Sequence, residues 1–147
     1  MRHESSVVIN RPIDEIWAFV TDPFNAPRMG GGRLAIRIAP LGPLALGSKL
    51  QQRVSVLGFE TELKTVVTEW DPPRTMTHST KDAGPIRSFS AAITLEPTAT
   101  GTKVVRAVAV EARGVWRAVL PILGPLIRRQ TDAQTRNLKR LLEANRG

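Results

Sequence analysis

The spacing of apolar residues along the chain changes from strand-like to helical within the first thirty residues. Glu4 to Asn10 carries the β-branched run of a strand, which Arg11-Pro12 ends. A helix is predicted next, because apolar residues recur at three- and four-residue steps at Ile13, Ile16, Trp17 and Val20. Thr21-Asp22-Pro23 stops that helix and predicts a second, short one over about 23–29, which the glycines 30–32 close.

From Arg33 the apolar residues alternate with polar ones, as in strands with one buried face. Strands are predicted around Leu34–Ile38, around Leu50–Val56 after a Pro- and Gly-rich loop at 40–47, and from Phe59 to Asp71-Pro72-Pro73. Three more are predicted over 74–80, 87–95 and 102–113. The short polar turns at 81–85 and 96–101 favour antiparallel pairing.

The stretch from Gly114 to Gly147 predicts one long helix whose two halves differ. In the second half, one face carries Ile127, Thr131, Gln134 or Thr135, Leu138 and Leu142. The apolar residues of the first half cover more than one face, which predicts apolar neighbours on several sides, as when a helix closes a cavity; they are Val115, Trp116, Val119, Leu120, Ile122, Leu123, Leu126 and Ile127. Pro121 and Pro125 each cost about 3 kcal/mol inside a helix, which predicts a break or kink between Leu120 and Leu126.

The order of elements predicts an α+β fold in a single domain over residues 1–147. A curved antiparallel sheet of about seven strands would wrap round the long C-terminal helix, with two short helices after the first strand. A chain of 147 residues is long enough to bury a core without disulfides. Cysteine is absent, which excludes thiolate metal sites and fits a reducing compartment. Neither an export signal nor an apolar run of membrane-spanning length is seen, so we expect a soluble, cytoplasmic protein.

The positive charge is concentrated near the C-terminus. Of the net charge of +8, residues from Lys103 onward contribute ten Lys or Arg against three acids, or +7. A basic face of this kind fits an acidic ligand, an anionic membrane or nucleic acid, and it also serves as plain solubilising charge. Sequence-specific nucleic-acid binding is not expected, because the chain offers basic charge without a reading helix or exposed aromatic residues on strands.

Four segments together carry a family resemblance. RPIDEIWAFVTDPFNAPRM, EWDPPRTM, GTKVV and LKRLLE occur in this order. The combination resembles the polyketide cyclase/dehydrase and lipid-transport family of the START-like (Bet v 1-like, SRPBCC) superfamily, over almost the whole chain. The resemblance implies a helix-grip fold with a deep, largely apolar cavity. Members use that cavity for lipids, sterols, polyketides, quinones or plant hormones, sometimes with catalysis.

Strand alternation identifies the residues that would line such a cavity. If Leu50 and Val54 face inward, Gln52 does too; if Val104 and Val108 face inward, so does Arg106. His78 shares a face with Met76, but Thr75, Thr77 and Ser79 are the alternative inward set. The expected ligand-binding residues are Gln52, Val54, Leu63, His78, Phe89, Ile93, Arg106, Val108, Trp116, Leu120 and Leu123. The polar members also have structural alternatives, such as an ion pair or a route to solvent for Arg106.

These residues favour a protein that binds or carries a hydrophobic small molecule, without a metal or other cofactor. His3 and His78 lack metal-ligand spacing, and no Gly-x-Ser-x-Gly motif occurs. The alternative is a cyclase or dehydratase in which Arg106 stabilises an enolate oxygen and His78 acts as general acid or base. A second alternative is a lipid-binding protein whose basic helix contacts an anionic membrane. The sequence leaves the ligand and the oligomeric state open.

Overall fold

The fold is known from a computed structural model, which describes residues 1–22, 25, 28, 33–39, 44–56, 59–83 and 86–144. Within the strands, the side chains of 33–39, 52, 54–56, 59–61 and 82–83 lie outside the description. Most of the predicted second short helix at 23–29, the glycines 30–32, part of the loop at 40–47 and Gly58 also lie outside the described residues.

The described chain folds into one antiparallel sheet and two helices. The strands are β1 (Arg2–Ile9), β2 (Arg33–Ala39), β3 (Lys49–Val56), β4 (Phe59–Asp71), β5 (Thr75–Ala83), β6 (Ile86–Pro97) and β7 (Thr102–Ala112). The helices are α1 (Ile13–Val20), between β1 and β2, and α2 (Trp116–Ala144), after β7. The strand order across the sheet is β1-β7-β6-β5-β4-β3-β2, so the first and last strands are neighbours.

Local sequence explains most of the element boundaries. Pro12 precedes α1 and Asp14 and Glu15 occupy its first turn, where acidic side chains favour a helix. Strands β2 to β7 follow one another through short connections and pair antiparallel, as the alternation predicted. The predicted turn at 81–85 begins too early, because Lys81 and Ala83 of β5 still pair with Ser88 and Ile86 of β6.

Helix α2 packs along β1 and β7 and extends without interruption from Trp116 to Ala144. The predicted break between Leu120 and Leu126 is therefore wrong. Pro121 and Pro125 lie within the helix, four residues apart, and both are exposed. Because proline has no backbone N–H, each removes one hydrogen bond from the helix. The carbonyl groups that lose these donors belong to Arg117 and Pro121, which are exposed and accessible to water.

The buried face of α2 follows the predicted amphipathic pattern in its second half only. Thr131, Thr135, Leu138 and Leu142 are buried there, as expected. In the first half only Gly124 is buried. Among the described residues, no helix is both long enough and apolar enough to cross a membrane.

Candidate functional site

The inward face of the sheet, meaning the face that packs against α2, is defined by register and burial. On β7 the buried side chains are Thr102, Val104, Val108 and Val110. Their partners on β6 include Leu95 and Ala91, and on β1 they include Val7 and His3. Every second residue of each strand therefore points toward the helix, as the period of two requires.

One end of this face is closed by tight packing. Ile9, Leu95 and Val104 are fully buried, and they cluster with Leu138 and Leu142 of α2 and with Ile16 of α1. Trp17 and Trp70 pack against the same cluster, with ring centroids 5.2 Å apart. We call this region the closed end; here the core excludes water.

The other end is packed less tightly. We call it the open end. It comprises the first half of α2 and the half-buried Leu63 and Phe89 on the inward face of the sheet, where Phe89 pairs with Val110 of β7. Leu63, Phe89, Leu120 and Leu123 are only half-buried. Apolar side chains that remain partly accessible to solvent leave surface that an apolar ligand can cover.

Sequence reasoning expected the whole first half of α2 to be packed on several sides, and this is wrong. Val115 and Ile122 are each 76% exposed, and Trp116 is 48% exposed. Trp116 precedes Leu120 by four residues and Leu123 by seven, so it lies on their side of the helix, but the sheet does not cover it. A helix lying on one sheet contacts it along a single stripe, so apolar residues on its other sides stay in solvent.

His78 is the buried polar residue next to the open end. It is 7% exposed and Met76 is also buried, so these residues, and not Thr75, Thr77 and Ser79, form the buried set on β5. Nδ1 of His78 lies 3.1 Å from the hydroxyl oxygen of Thr65, which is 2% exposed. The Phe89 ring lies beside the imidazole, at 6.1 Å between centroids. An imidazole held among apolar side chains can bind a polar group of a ligand or transfer a proton to it.

Arg106 lies on the inward face but is not deeply buried. It stands between Val104 and Val108, opposite Ile93 on β6 and Ser5 on β1, and it is half-buried. It also has an interaction partner within the chain. Arg106 lies two strands away from His78, a separation of roughly 10 Å across the sheet. It is also offset by two residues, or about 7 Å, along the strand direction. One ligand can touch both only if it spans about 12 Å.

The remaining predicted site residues divide into two groups. Ile93 and Val108 are buried on the inward face, whereas Leu63, Phe89, Leu120 and Leu123 are half-buried. Gln52 and Val54 pair with Leu63 and Thr61, and their side chains lie outside the described residues.

Thr65 is the site residue that sequence reasoning did not select. The sequence contains an indication that Thr65 faces inward, because it occupies the same alternating positions on β4 as Leu63 and Val67, and Val67 is buried. A threonine among apolar inward residues needs a hydrogen-bond partner when buried. That requirement points to a neighbouring polar side chain. His78, which pairs with Val67 in the register, lies diagonally across from Thr65 and is that neighbour.

A polar contact joins the middle of α2 to β1. Nε2 of His3 lies 2.9 Å from Oδ1 of Asp132, and both side chains are partly exposed. The hydrogen bond with His3 is the main cause that lowers the pKa of Asp132; partial burial opposes it and a hydrogen bond from Ser5 supports it. The contact fixes the helix on the sheet between the closed and open ends.

In the described part of the chain, no group of three or more His, Cys, Asp or Glu side chains is placed to hold a metal ion. In the same part, every buried side-chain nitrogen or oxygen has a hydrogen-bond partner. The chemistry available at the inward face is therefore that of an imidazole, a hydroxyl and a guanidinium in apolar surroundings.

Comparison with known proteins adds a family and a fold. The sequence model of a family described as polyketide cyclase / dehydrase and lipid transport matches residues 2–143. No curated protein matches the sequence.

Solved structures with the same fold have low sequence identity to this chain. TTHA0849 from Thermus thermophilus superposes with a TM-score of 0.81 at 13% identity, covering 99% of this chain and 100% of that one. Truncated norcoclaurine synthase from Thalictrum flavum gives 0.72 at 15% identity, covering 99% and 95%. The di-domain ARO/CYC BexL, from the BE-7585A biosynthetic pathway, gives 0.75 at 18% identity, and this chain spans 48% of it. These likenesses show that the chain has the helix-grip fold.

Proposed function

Because the chain belongs to the polyketide cyclase / dehydrase and lipid transport family, we propose that it binds or carries a hydrophobic small molecule at the open end. The ligand would lie between the inward face of the sheet and the first half of α2. Leu63, Phe89, Leu120 and Leu123 would cover its apolar part, next to the buried Ile93 and Val108. A lipid-, polyketide- or quinone-like molecule would then lie against a largely apolar wall.

The observation that carries this proposal is the difference in burial along one helix. The inward side chains of α2 are fully buried at Leu138 and only half-buried at Leu120 and Leu123. An apolar surface that the protein does not cover itself is stabilised when an apolar ligand covers it, by roughly 25 cal/mol for each Å² removed from water.

The polar residues of the site would orient the ligand. The His78 imidazole, held by Thr65, is placed to meet a hydroxyl or carbonyl group of a ligand. Arg106 is a candidate contact for an anionic or carbonyl group toward the β1 side of the same face. Buried polar groups of this kind usually set orientation and specificity, while apolar contact supplies affinity.

The proposal is tested by filling the open end. Leu123→Trp places a bulky ring on the inward side of α2, and Ile122→Trp places the same ring one residue away on the exposed side. We expect Leu123→Trp to weaken binding of an apolar fluorescent probe at least several-fold, and Ile122→Trp to leave it near the parent value. The far-ultraviolet circular dichroism should stay near native in both. Equal probe affinity in the two variants would contradict the proposal.

A cyclase or dehydratase activity is the second candidate function, and the His78–Thr65 pair is the observation that favours it. In such a reaction His78 would donate or accept the proton, and Arg106 would stabilise the enolate oxygen. Two of the solved structures with this fold are ARO/CYC proteins. Native mass spectrometry of the protein purified from its own host would show which molecule it holds. Conversion of that molecule by the parent protein but not by His78→Gln would favour the enzyme.

A further inference from the structure

The first half of α2 carries a surface that neither the fold nor the proposed ligand site explains. Six large hydrophobic side chains are exposed among the described residues, and three of them, Val115, Trp116 and Ile122, lie within eight positions of one another. Ala118, Pro121 and Pro125 nearby are also exposed. We call these six residues, 115, 116, 118, 121, 122 and 125, the exposed apolar patch.

The helical geometry separates the centre of this patch, around Ile122, from the ligand site. Ala118, Ile122, Pro125 and Arg129 follow one another at four-, three- and four-residue steps, so they form one stripe on the outer side of α2. All four are exposed, whereas Gly124 and Thr131 face the sheet and are buried. This stripe therefore faces away from the protein, while Leu120 and Leu123 lie between it and the sheet. Trp116 lies beside the stripe, four residues before Leu120, and is exposed in the first turn of α2.

The charges along the segment that carries the patch have a single sign, and the first acids on either side are Glu111 and Asp132. From residue 112 to residue 131 the sequence contains four arginines, at 113, 117, 128 and 129, and no Asp or Glu. Arg117, Arg128 and Arg129 are exposed. An apolar stripe flanked by arginine is the pattern of a helix that lies in the interface of an anionic bilayer, with its apolar side chains among the acyl chains and its guanidinium groups at the phosphates.

From this arrangement we propose that α2 docks the protein on an anionic phospholipid membrane through the exposed apolar patch. Trp116 suits such a surface, because indole rings concentrate at the level of lipid headgroups. A second copy of the chain fits less well, since a symmetric contact would bring the two sets of arginines together. Nucleic acid would match the charge but would leave Val115 and Ile122 without an apolar environment.

Docking here would bring the open end next to the membrane. Leu120 and Leu123 belong to the same turns of α2 as Ile122. A protein seated by this patch would hold its ligand site within one helix diameter, about 10–12 Å, of the lipid surface. The docking proposal does not depend on the ligand site, because vesicle binding is measured without any ligand.

The test is flotation of the full chain with phosphatidylcholine vesicles, with and without phosphatidylglycerol. We expect binding to the anionic vesicles to exceed binding to the neutral ones by about tenfold or more. Arg128→Gln with Arg129→Gln should reduce anionic binding roughly thirtyfold. The matched control is Lys49→Gln with Lys64→Gln, which removes the same charge from the sheet and should change binding less than about twofold. Ile122→Ser should also weaken binding, without changing the net charge.

The fluorescence of Trp116 provides an independent measurement of contact with the membrane. Its fluorescence should shift to shorter wavelength on anionic vesicles and be quenched by brominated lipid, and Trp116→Phe should remove both signals. Trp17 and Trp70 lie at the closed end and should not respond. Equal binding to neutral and anionic vesicles, equal losses in the two charge pairs, or absence of quenching would overturn the proposal. So would concentration-dependent self-association that Ile122→Ser abolishes while vesicle binding stays absent.

Discussion

The two halves of α2 lie on the same sheet but have different surroundings. In the closed end, Leu138 and Leu142 fill the space between Ile9, Val104 and α1, and both leucine side chains are buried. In the open end, Leu120 and Leu123 have the same chemistry but are covered only in part. One half of the helix therefore fills the core, whereas the other half keeps apolar surface that the protein itself does not cover.

The largest expected effect is on stability, and it compares the same substitution at both ends. Leu138→Ala should lower the free energy of unfolding by about 2–5 kcal/mol, because it leaves a cavity in a fully buried cluster. Leu123→Ala should lower it by about 1 kcal/mol or less, because the side chain is half exposed. The helix propensity changes equally in both, so urea denaturation compares packing alone. Equal losses would mean that the open end is as well packed as the closed end.

The next effect is on ligand affinity and concerns Arg106, which lies between the two ends. Arg106→Met keeps much of the aliphatic packing but removes the donors, so affinity for the co-purified ligand should fall by about 1.5–3 kcal/mol. The melting temperature of the ligand-free protein should hold or rise. Arg106→Lys, which keeps the charge, should lose less affinity.

Arg106 has an interaction within the chain, so a structural role is the competing explanation. Intact affinity together with a melting temperature several degrees lower would assign Arg106 to that role and remove it from the ligand site. The pair of measurements, affinity and ligand-free stability, separates the two explanations because each predicts a loss in only one of them.

A smaller effect is expected from the polar pair beside the open end. Thr65→Val removes the hydroxyl that Nδ1 of His78 contacts, which should cost about 1 kcal/mol of stability. Thr131→Val is the matched control in the second half of α2. Its hydroxyl donates to the Ile127 carbonyl oxygen within its own helix, so its loss should change stability by less than about 0.5 kcal/mol. Chemical denaturation of both variants measures the difference, and a reversed order would exclude a structural role for the Thr65 hydroxyl.

The smallest effect is on pH dependence, at the contact that joins the two halves of α2 to β1. The pKa of Asp132 is lowered from its ordinary value of 3.8, mainly by the hydrogen bond with His3. Its carboxylate therefore stabilises the fold above pH 3.8, and this contribution is lost as the pH falls through the lowered folded-state pKa. Asp132→Asn should flatten the fall of the melting temperature in this acid range.

The flattening should be slight, because Asp132 is partly exposed and solvent screens its interactions. The pKa of Glu143 is also lowered, first by the backbone N–H of Asn10, so some acid dependence should persist in the variant. Glu96→Gln is the control, at an exposed position in the β6 strand. Equal pH profiles of Asp132→Asn and the parent protein would show that the His3 contact does not contribute to stability.

Much of the fold could be predicted from the sequence, because it depends on local periodicity. The alternation on β4 and β7 identified inward faces that burial confirms at Val67, Val104 and Val108. The helical spacing of Thr131, Leu138 and Leu142 identified the buried face of the second half of α2. Both patterns reflect a regular backbone whose side chains repeat at a fixed step, so they need no knowledge of distant residues.

The candidate site was only partly predictable. Alternation placed His78 and Met76 on one face of β5 but did not say which face is inward. That choice depends on β4, since Thr65 and Val67 meet β5 across the sheet. Thr65 itself was not selected, because a threonine in a strand is unremarkable until a buried imidazole lies next to it.

The order of the elements, the antiparallel sheet with its long C-terminal helix and the amphipathic second half of that helix all follow from the sequence. Only the tertiary structure decided that His78 is buried against Thr65 and that Val115, Trp116 and Ile122 face solvent. The reason is that periodicity records how a segment repeats, whereas burial depends on which other segments cover it. The apolar first half of α2 has the composition of a buried helix, but one sheet covers only one of its sides.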